Sequence, residues 1–129
     1  MARIAAFIPD LLFGSNVLGA LRAAGHEVTL CADAAALARG APGAAVVVVD
    51  LTAEVSERLA TIEELRAGGG LEGARTLAFY SHVEADTRAL ALEAGLDRVV
   101  PRSRMAREGP ALVAALAGAP SPKDPRRPG

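Results

Sequence analysis

Asp50 follows four consecutive valines, Val46 to Val49, and is the most prominent side chain in the sequence with a capacity for chemistry. A run that is so short, apolar and β-branched predicts a strand buried on both faces, as in a parallel sheet covered by helices. In open α/β sheets, ligands and reacting groups gather at the carboxyl ends of the strands. Asp50 is therefore placed where a carboxylate could accept a transferred group or pair with a cation.

The elements that must position Asp50 are five predicted strands alternating with five predicted helices. The strands cover residues 3–8, 27–31, 44–49, 75–80 and 98–100, and the helices cover residues 15–24, 34–39, 54–67, 85–94 and 110–117. Pro110 suits the first position of the last helix, because its missing N–H would be unpaired there. The alternation predicts an α/β protein, a three-layer α/β/α sandwich of the flavodoxin-like type with a five-stranded parallel sheet in the order 2-1-3-4-5.

The chain of 129 residues is long enough for one hydrophobic core. We expect residues 1–118 to form a single domain. Residues 119–129, with the sequence APSPKDPRRPG, carry too little apolar surface to bury and are predicted to be a disordered tail rich in proline and arginine.

Residues 81–102, SHVEADTRALALEAGLDRVVPR, taken together with Asp50 at the end of the valine strand, resemble the response-regulator receiver domain, a CheY-like fold. The likeness covers about residues 3–117. In receivers, a hydroxyl residue ends the fourth strand, the following helix closes on Ala-Gly, and the fifth strand ends in Lys-Pro. The resemblance implies a regulatory module of two-component signalling, with Asp50 at the phospho-acceptor position.

Receiver chemistry needs a carboxylate nucleophile, a Mg²⁺ ion held by neighbouring carboxylates, a hydroxyl group and a cation. The chain departs from this set at three positions, all of them pocket residues by the resemblance. The two positions of the acid pair after the first strand hold Ile8 and Pro9, and Asp10 follows one residue late. Tyr80 stands at the hydroxyl position with Ser81 beside it, and Arg102 replaces the lysine. Magnesium is expected only if Asp10 and Asp50 converge, and otherwise no cofactor is predicted.

Two interpretations of the charged residues stay open at this point. Asp50 is either a phospho-acceptor or a structural carboxylate that caps the next helix or pairs with Arg102. Four arginines, Arg98, Arg102, Arg104 and Arg107, form the one local basic cluster. That cluster either binds an anion or an acidic partner, or is a solvated loop in which Arg102 is taken up by Asp50.

Composition narrows the class of protein. The formal net charge is −1, so no global field attracts nucleic acid or an anionic membrane. A single cysteine, Cys31, excludes an internal disulfide and fits a reducing compartment. Without an apolar run of transmembrane length or a signal peptide, we expect a cytoplasmic protein that does not associate with membranes.

These observations predict a stand-alone pseudo-receiver that regulates by protein–protein contact, is not an enzyme and is not phosphorylated. By resemblance, the contact surface for a protein partner or a second copy is built from the fourth helix, the fifth strand and the fifth helix. Two alternatives remain: a flavodoxin-like protein that binds a small ligand or nucleotide in the strand-end crevice, and a genuine receiver phosphorylated on Asp50.

Overall fold

The computed structural model describes residues 2–81 and 85–118, which contain all ten predicted elements. The predicted tail, residues 119–129, lies outside the described residues. The strands are β1 (Arg3–Phe7), β2 (Glu27–Cys31), β3 (Val46–Asp50), β4 (Arg75–Tyr80) and β5 (Arg98–Pro101). The helices are α1 (Leu11–Ala23), α2 (Ala34–Gly40), α3 (Val55–Ala67), α4 (Ala85–Glu93) and α5 (Arg102–Ala117).

The five strands form one parallel sheet in the order β2-β1-β3-β4-β5, which confirms the predicted fold class and topology. The valine strand β3 lies in the middle, with Val47 opposite Ala5 of β1 and Thr76 of β4. Every residue of β3 is buried, as expected for a strand covered by helices on both faces.

Two apolar clusters, one on each face of the sheet, form the core. The first joins α1 and α5 to the sheet and includes Phe13, Leu21 and Met105. The second joins α2, α3 and α4 to the other face and includes Leu37 and Ile62. The alternation of the valines divides them between the two clusters, so that each helical layer packs on its own side of β3.

Two helices begin earlier than predicted. Helix α1 begins at Leu11 and not at residue 15, because the Asp10 carboxylate accepts the Phe13 N–H at 3.1 Å and caps the helix. Helix α5 begins at Arg102 and not at Pro110. Pro101 ends β5 as the N-cap residue of α5, and Pro110 lies inside that helix.

Within residues 2–81 and 85–118, no helix combines the length and the apolar character needed to cross a membrane. Cys31 is a free, fully buried thiol at the end of β2. Desolvation by burial raises the pKa of this thiol above its ordinary value, so that it stays protonated at neutral pH.

Candidate functional site

Asp50 is the last residue of β3 and is only 2% exposed. Its carboxylate oxygen Oδ1 accepts hydrogen bonds from the Thr52 N–H at 2.8 Å and from the Thr52 hydroxyl at 2.5 Å. These contacts arise locally, because the chain turns directly after the strand and brings residue 52 back over the carboxylate. One oxygen of Asp50 is therefore fully engaged by its own loop.

The second oxygen, Oδ2, lies 3.4 Å from Nη1 of Arg58. The same nitrogen donates to the backbone carbonyl of Asp50 at 2.9 Å, and the Arg58 side chain is only 10% exposed. Glu54 lies 3.6 Å from the other end of this guanidinium. Arg58 is thus held between two carboxylates and a carbonyl, and it supplies the cation that a buried Asp50 requires.

Glu54 gives this arrangement its local shape. It is the one non-glycine residue with a positive φ among the described residues, with φ 48° and ψ 45° at the N-cap of α3. A left-handed residue turns the four-residue connection 51–54 sharply, so that the first turn of α3 returns over the end of β3. A non-glycine side chain pays about 1–2 kcal/mol for this conformation, and the ion pair with Arg58 helps to hold it.

Asp10 and Arg102 pair with each other and not with Asp50. The carboxylate of Asp10 lies 3.8 Å from Nη2 of Arg102, and both side chains are about half exposed, 47% and 48%. The Arg102 guanidinium also stacks over the ring of Phe13, 4.2 Å from its centroid. The alternative in which Asp50 pairs with Arg102 is therefore wrong: α1 and α5 lie in one layer, where Arg102 pairs with Asp10, and Asp50 pairs with Arg58.

Tyr80 and Ser81 close β4. Tyr80 is partly buried against the cluster that includes Val49, and its backbone lies opposite Pro101 in β5. Ser81 follows it and is half-buried. The strand-end position opposite Tyr80 thus carries a proline, while Arg102 has already entered α5. Arg102, predicted to replace the receiver lysine, is thus the first residue of α5 and directly follows the end of β5.

The predicted arginine cluster is divided by the fold. Arg98 begins β5, whereas Arg102, Arg104 and Arg107 follow the opposite end of that strand. Arg104 and Arg107 lie 3.4 Å and 3.9 Å from the carboxylate of Glu108. With Arg102 paired to Asp10, the three arginines of α5 are partly neutralised, and the cluster does not form a concentrated anion site.

The described residues offer little for a metal ion. Among residues 2–81 and 85–118, no group of three histidine, cysteine, aspartate or glutamate side chains lies close enough to hold one. Asp10 and Asp50 each have an arginine partner already. Among the described residues the donor set therefore does not match a cage of hard oxygen ligands for Mg²⁺, and the prediction of no cofactor unless Asp10 and Asp50 converge stays untested.

A large cavity lies at the opposite end of the strands from Asp50. It has a volume of about 850 Å³ and is lined by the segment around Gly69–Gly73, by Arg75 and by Asp97. Both carboxylate oxygens of Asp97 have partners within the fold: Oδ2 accepts the Thr76 N–H at 2.7 Å, and Oδ1 pairs with Arg75 at 3.3 Å. The crevice predicted for a small ligand lies at the other end of the strands.

Exposed apolar side chains occur on two helices. Leu90 and Leu92 of α4 are 46% and 42% exposed. Leu11 and Leu12 at the start of α1 are 70% and 77% exposed. Large apolar side chains at these exposures mark surfaces that can contact a partner.

Known structures with the same fold are receiver domains. The receiver domain of the sensor histidine kinase PA1611 from Pseudomonas aeruginosa, solved with a magnesium ion in its active-site cleft, matches with a TM-score of 0.78 and 19% identity over 92% of this chain and 98% of that one. The chemotaxis protein CheY4 from Vibrio cholerae matches with a TM-score of 0.76 and 17% identity, over 90% and 98%.

A receiver domain from Francisella, of response regulator 1452, matches with a TM-score of 0.76 and 13% identity over 91% of this chain and 97% of that one. No protein-family model and no curated protein sequence matches the chain. At these identities the likeness shows the fold: the chain has the architecture of a CheY-like receiver domain.

Proposed function

We propose that this chain, which has the fold of a response-regulator receiver domain, is a pseudo-receiver: a signalling module that works by protein–protein contact without phosphorylation of Asp50. The observation that carries the proposal is the closed environment of the Asp50 carboxylate. Thr52 engages one oxygen and Arg58 the other, and the residue is 2% exposed.

Phosphoryl transfer requires an attacking oxygen in line with the donor and a metal ion that neutralises the developing charge. The second oxygen of Asp50 faces Arg58, which is itself a buried residue in the first turn of α3. The half-exposed Asp10 is paired with Arg102. Opening the site to a phosphodonor would break the buried ion pair, and the described residues at the strand ends would still lack an acid pair to hold Mg²⁺.

The contact surface is the face formed by α4, β5 and α5, here called the α4–β5–α5 surface. Strand β5 lies at the edge of the sheet, and α4 packs on it and exposes Leu90 and Leu92 on the two sides of its buried Ala91. On the other side, α5 contributes Arg104 and Arg107. An exposed leucine with charged residues around it provides the apolar centre and polar rim of an interface, and the partner is a protein with an apolar contact face.

The experiment compares tagged wild-type protein with Asp50→Asn and Leu92→Glu in capture from the native host lysate. We expect Asp50→Asn to recover the same partner as the wild type, and Leu92→Glu to lose it. In parallel, intact mass is measured after incubation with Mg²⁺ and a small phosphodonor, where we expect no added mass. Circular dichroism confirms that each variant is folded.

Two outcomes would overturn the proposal. A phosphoryl adduct that is present in the wild type and lost in Asp50→Asn would establish a genuine receiver. Unchanged capture by Leu92→Glu would remove the α4–β5–α5 surface as the site of contact.

A further inference from the structure

Helix α4 is weakly anchored by its own side chains. It has 9 residues, Ala85–Glu93, which is shorter than a helix needs to be to stay folded in isolation. Among positions 86–93, only Thr87 and Ala91 are buried, and both of these side chains are small. The position of α4 on the sheet therefore depends on contacts made at its ends.

The C-terminal end of α4 closes in a glycine turn. Gly95 has a φ of 88°, and its N–H donates to the Leu92 carbonyl at 3.1 Å. The Leu96 N–H donates to the Ala91 carbonyl at 3.2 Å. This is the pattern in which a left-handed glycine ends a helix by pairing its last carbonyls. The carbonyls of Ala94 and Gly95 lie beyond these bonds and take their partner from another element.

That partner is Arg66, in the last turn of α3. Its Nη1 donates to the Ala94 carbonyl at 2.8 Å and its Nη2 to the Gly95 carbonyl at 3.3 Å, so that one guanidinium bridges two successive carbonyls. A Cβ at Gly95 would lie 3.1 Å from Nη1, which places the guanidinium directly against the turn. The backbones of α3 and α4 come close at few points, so this side chain spans a gap between the two helices.

Charge adds to these hydrogen bonds. The last turn of α4 carries no basic residue, and its final residue, Glu93, is acidic. A negative side chain at this end opposes the helix dipole, whose C-terminal end is partly negative. Arg66 therefore supplies from α3 the positive charge that α4 lacks.

We propose that Arg66 is an interhelical clamp: a positioning residue that sets how readily α4 detaches from the sheet. When α4 detaches, both hydrogen bonds and the favourable charge at the helix end are lost, so the clamp adds to the free energy of local opening. Leu92 of the α4–β5–α5 surface moves with α4. A partner that needs α4 seated on the sheet therefore binds with an apparent affinity that scales with the seated fraction. This last step rests on the proposed function, whereas the clamp itself does not.

Hydrogen-exchange mass spectrometry of the free protein tests the clamp. We expect the amides of α4 to exchange about threefold faster in Arg66→Met than in the wild type, the size expected for exposed contacts of a charged group. Arg66→Lys keeps the charge but not the planar fork that spans two carbonyls, and its exchange should lie between the two. Arg22→Met is the matched control, because Arg22 also donates to a backbone carbonyl, that of Val28 at 3.5 Å, at the end of a different helix. This control should leave the exchange of α4 unchanged.

A further variant separates detachment of α4 from unfolding of the whole protein. Arg58→Met breaks the buried pair with Asp50 at the start of α3 and lowers the stability of the fold. That pair stays formed when α4 alone detaches. We expect Arg58→Met to accelerate exchange in β3 much more than Arg66→Met does, and to leave exchange in α4 unchanged.

Exchange of α4 as slow in Arg66→Met as in the wild type would overturn the proposal. Exchange in Arg66→Lys as fast as in Arg66→Met would also contradict it, because the retained charge would then hold nothing. Equal acceleration of α4 by Arg22→Met or Arg58→Met would assign the effect to the whole fold. All of these measurements use the free protein, so a failure to capture any partner would contradict the proposed function and leave the clamp in place.

Discussion

Arg58 is the side chain on which the buried Asp50 depends. Replacing it by methionine in Arg58→Met keeps the bulk of the side chain but leaves the carboxylate with Thr52 alone. Removing one partner of a buried ion pair costs about 3 kcal/mol, because the remaining charge has lost its compensation. We expect the free energy of unfolding, measured by urea denaturation, to fall by about this amount.

The matched control is Arg66→Met in the last turn of the same helix. The guanidinium of Arg66 donates to the carbonyls of Ala94 and Gly95 at 2.8 Å and 3.3 Å, but these contacts are exposed. Exposed contacts contribute less, so we expect a loss below about 1 kcal/mol. Adding Asp50→Asn to Arg58→Met should recover part of the lost stability. Equal losses in the two single variants would contradict the structural role of the Asp50–Arg58 pair.

The position and burial of Asp50 could be predicted from sequence, but its partner could not. Four valines and a terminal acid are sufficient to predict a strand end in a covered sheet. Arg58 is eight residues away, on a helix with several glutamates, where an arginine usually belongs to a solvated face. The burial of Arg58 depends on the left-handed backbone conformation of Glu54, and no local sequence pattern predicts a positive φ at a glutamate. The one available signal was the shortness of the connection after Asp50.

At the scale of one element, α1 contains two glycines whose replacement by alanine should have opposite effects. A Cβ at Gly19 would meet no atom within 4 Å, and at Gly14 it would lie 3.2 Å from Leu30 Cδ1 and 3.4 Å from the Ile8 carbonyl oxygen. Alanine is favoured over glycine inside a helix by about 1 kcal/mol. We expect Gly19→Ala to stabilise by about that amount, and Gly14→Ala to destabilise by about 1 kcal/mol because packing strain exceeds the gain.

Urea denaturation measures the free energy of unfolding of both variants. Since the two substitutions are chemically identical and lie in one helix, their difference isolates how closely α1 approaches the sheet. A stabilisation by both variants would show that α1 can move away from β1 and β2 at little cost.

The boundaries of the elements were harder to predict than their existence. The sequence rule that favours proline at the first helical position predicted a start at Pro110, while the helix begins eight residues earlier. Its first two turns carry Met105 and Gly109, which are both buried, and Met105 belongs to the first apolar cluster. Tertiary packing of this face outweighs the hydrogen bond that Pro110 cannot make. Helix α1 begins four residues before the predicted start, because the Asp10 side chain caps it ahead of Leu11.

At the scale of the whole molecule, the individual helices cover the sheet unequally. On one face α1 and α5 bury several large side chains, among them Phe13, Leu21 and Met105. On the other face, Thr87 and Ala91 are the only buried residues among positions 86–93 of α4, where burial is described, and Leu90 and Leu92 are exposed. The strand order itself followed from the alternation of elements, but this inequality depends on side-chain packing that the order does not specify.

The unequal cover predicts a gradient of local stability. Backbone amides of Val46–Val49 are paired on both sides and buried under both layers, so they should exchange with solvent deuterium only by global unfolding. Amides of α4 should exchange by local opening, since little apolar area opposes detachment of this helix. Hydrogen-exchange mass spectrometry should show slow exchange in the peptide that contains β3, intermediate exchange in α1 and α5, and faster exchange in α4 than in these three elements.

Binding of a partner to the α4–β5–α5 surface should slow the exchange of α4 selectively, because docking opposes the local opening through which its amides exchange. Exchange in β3 is limited by global unfolding and should respond only to the overall gain in stability. Protection of α4 equal to that of β3 in the free protein would contradict the gradient. The exchange rates of the α4 amides therefore connect the helix that the core holds least firmly with the surface proposed to act in signalling.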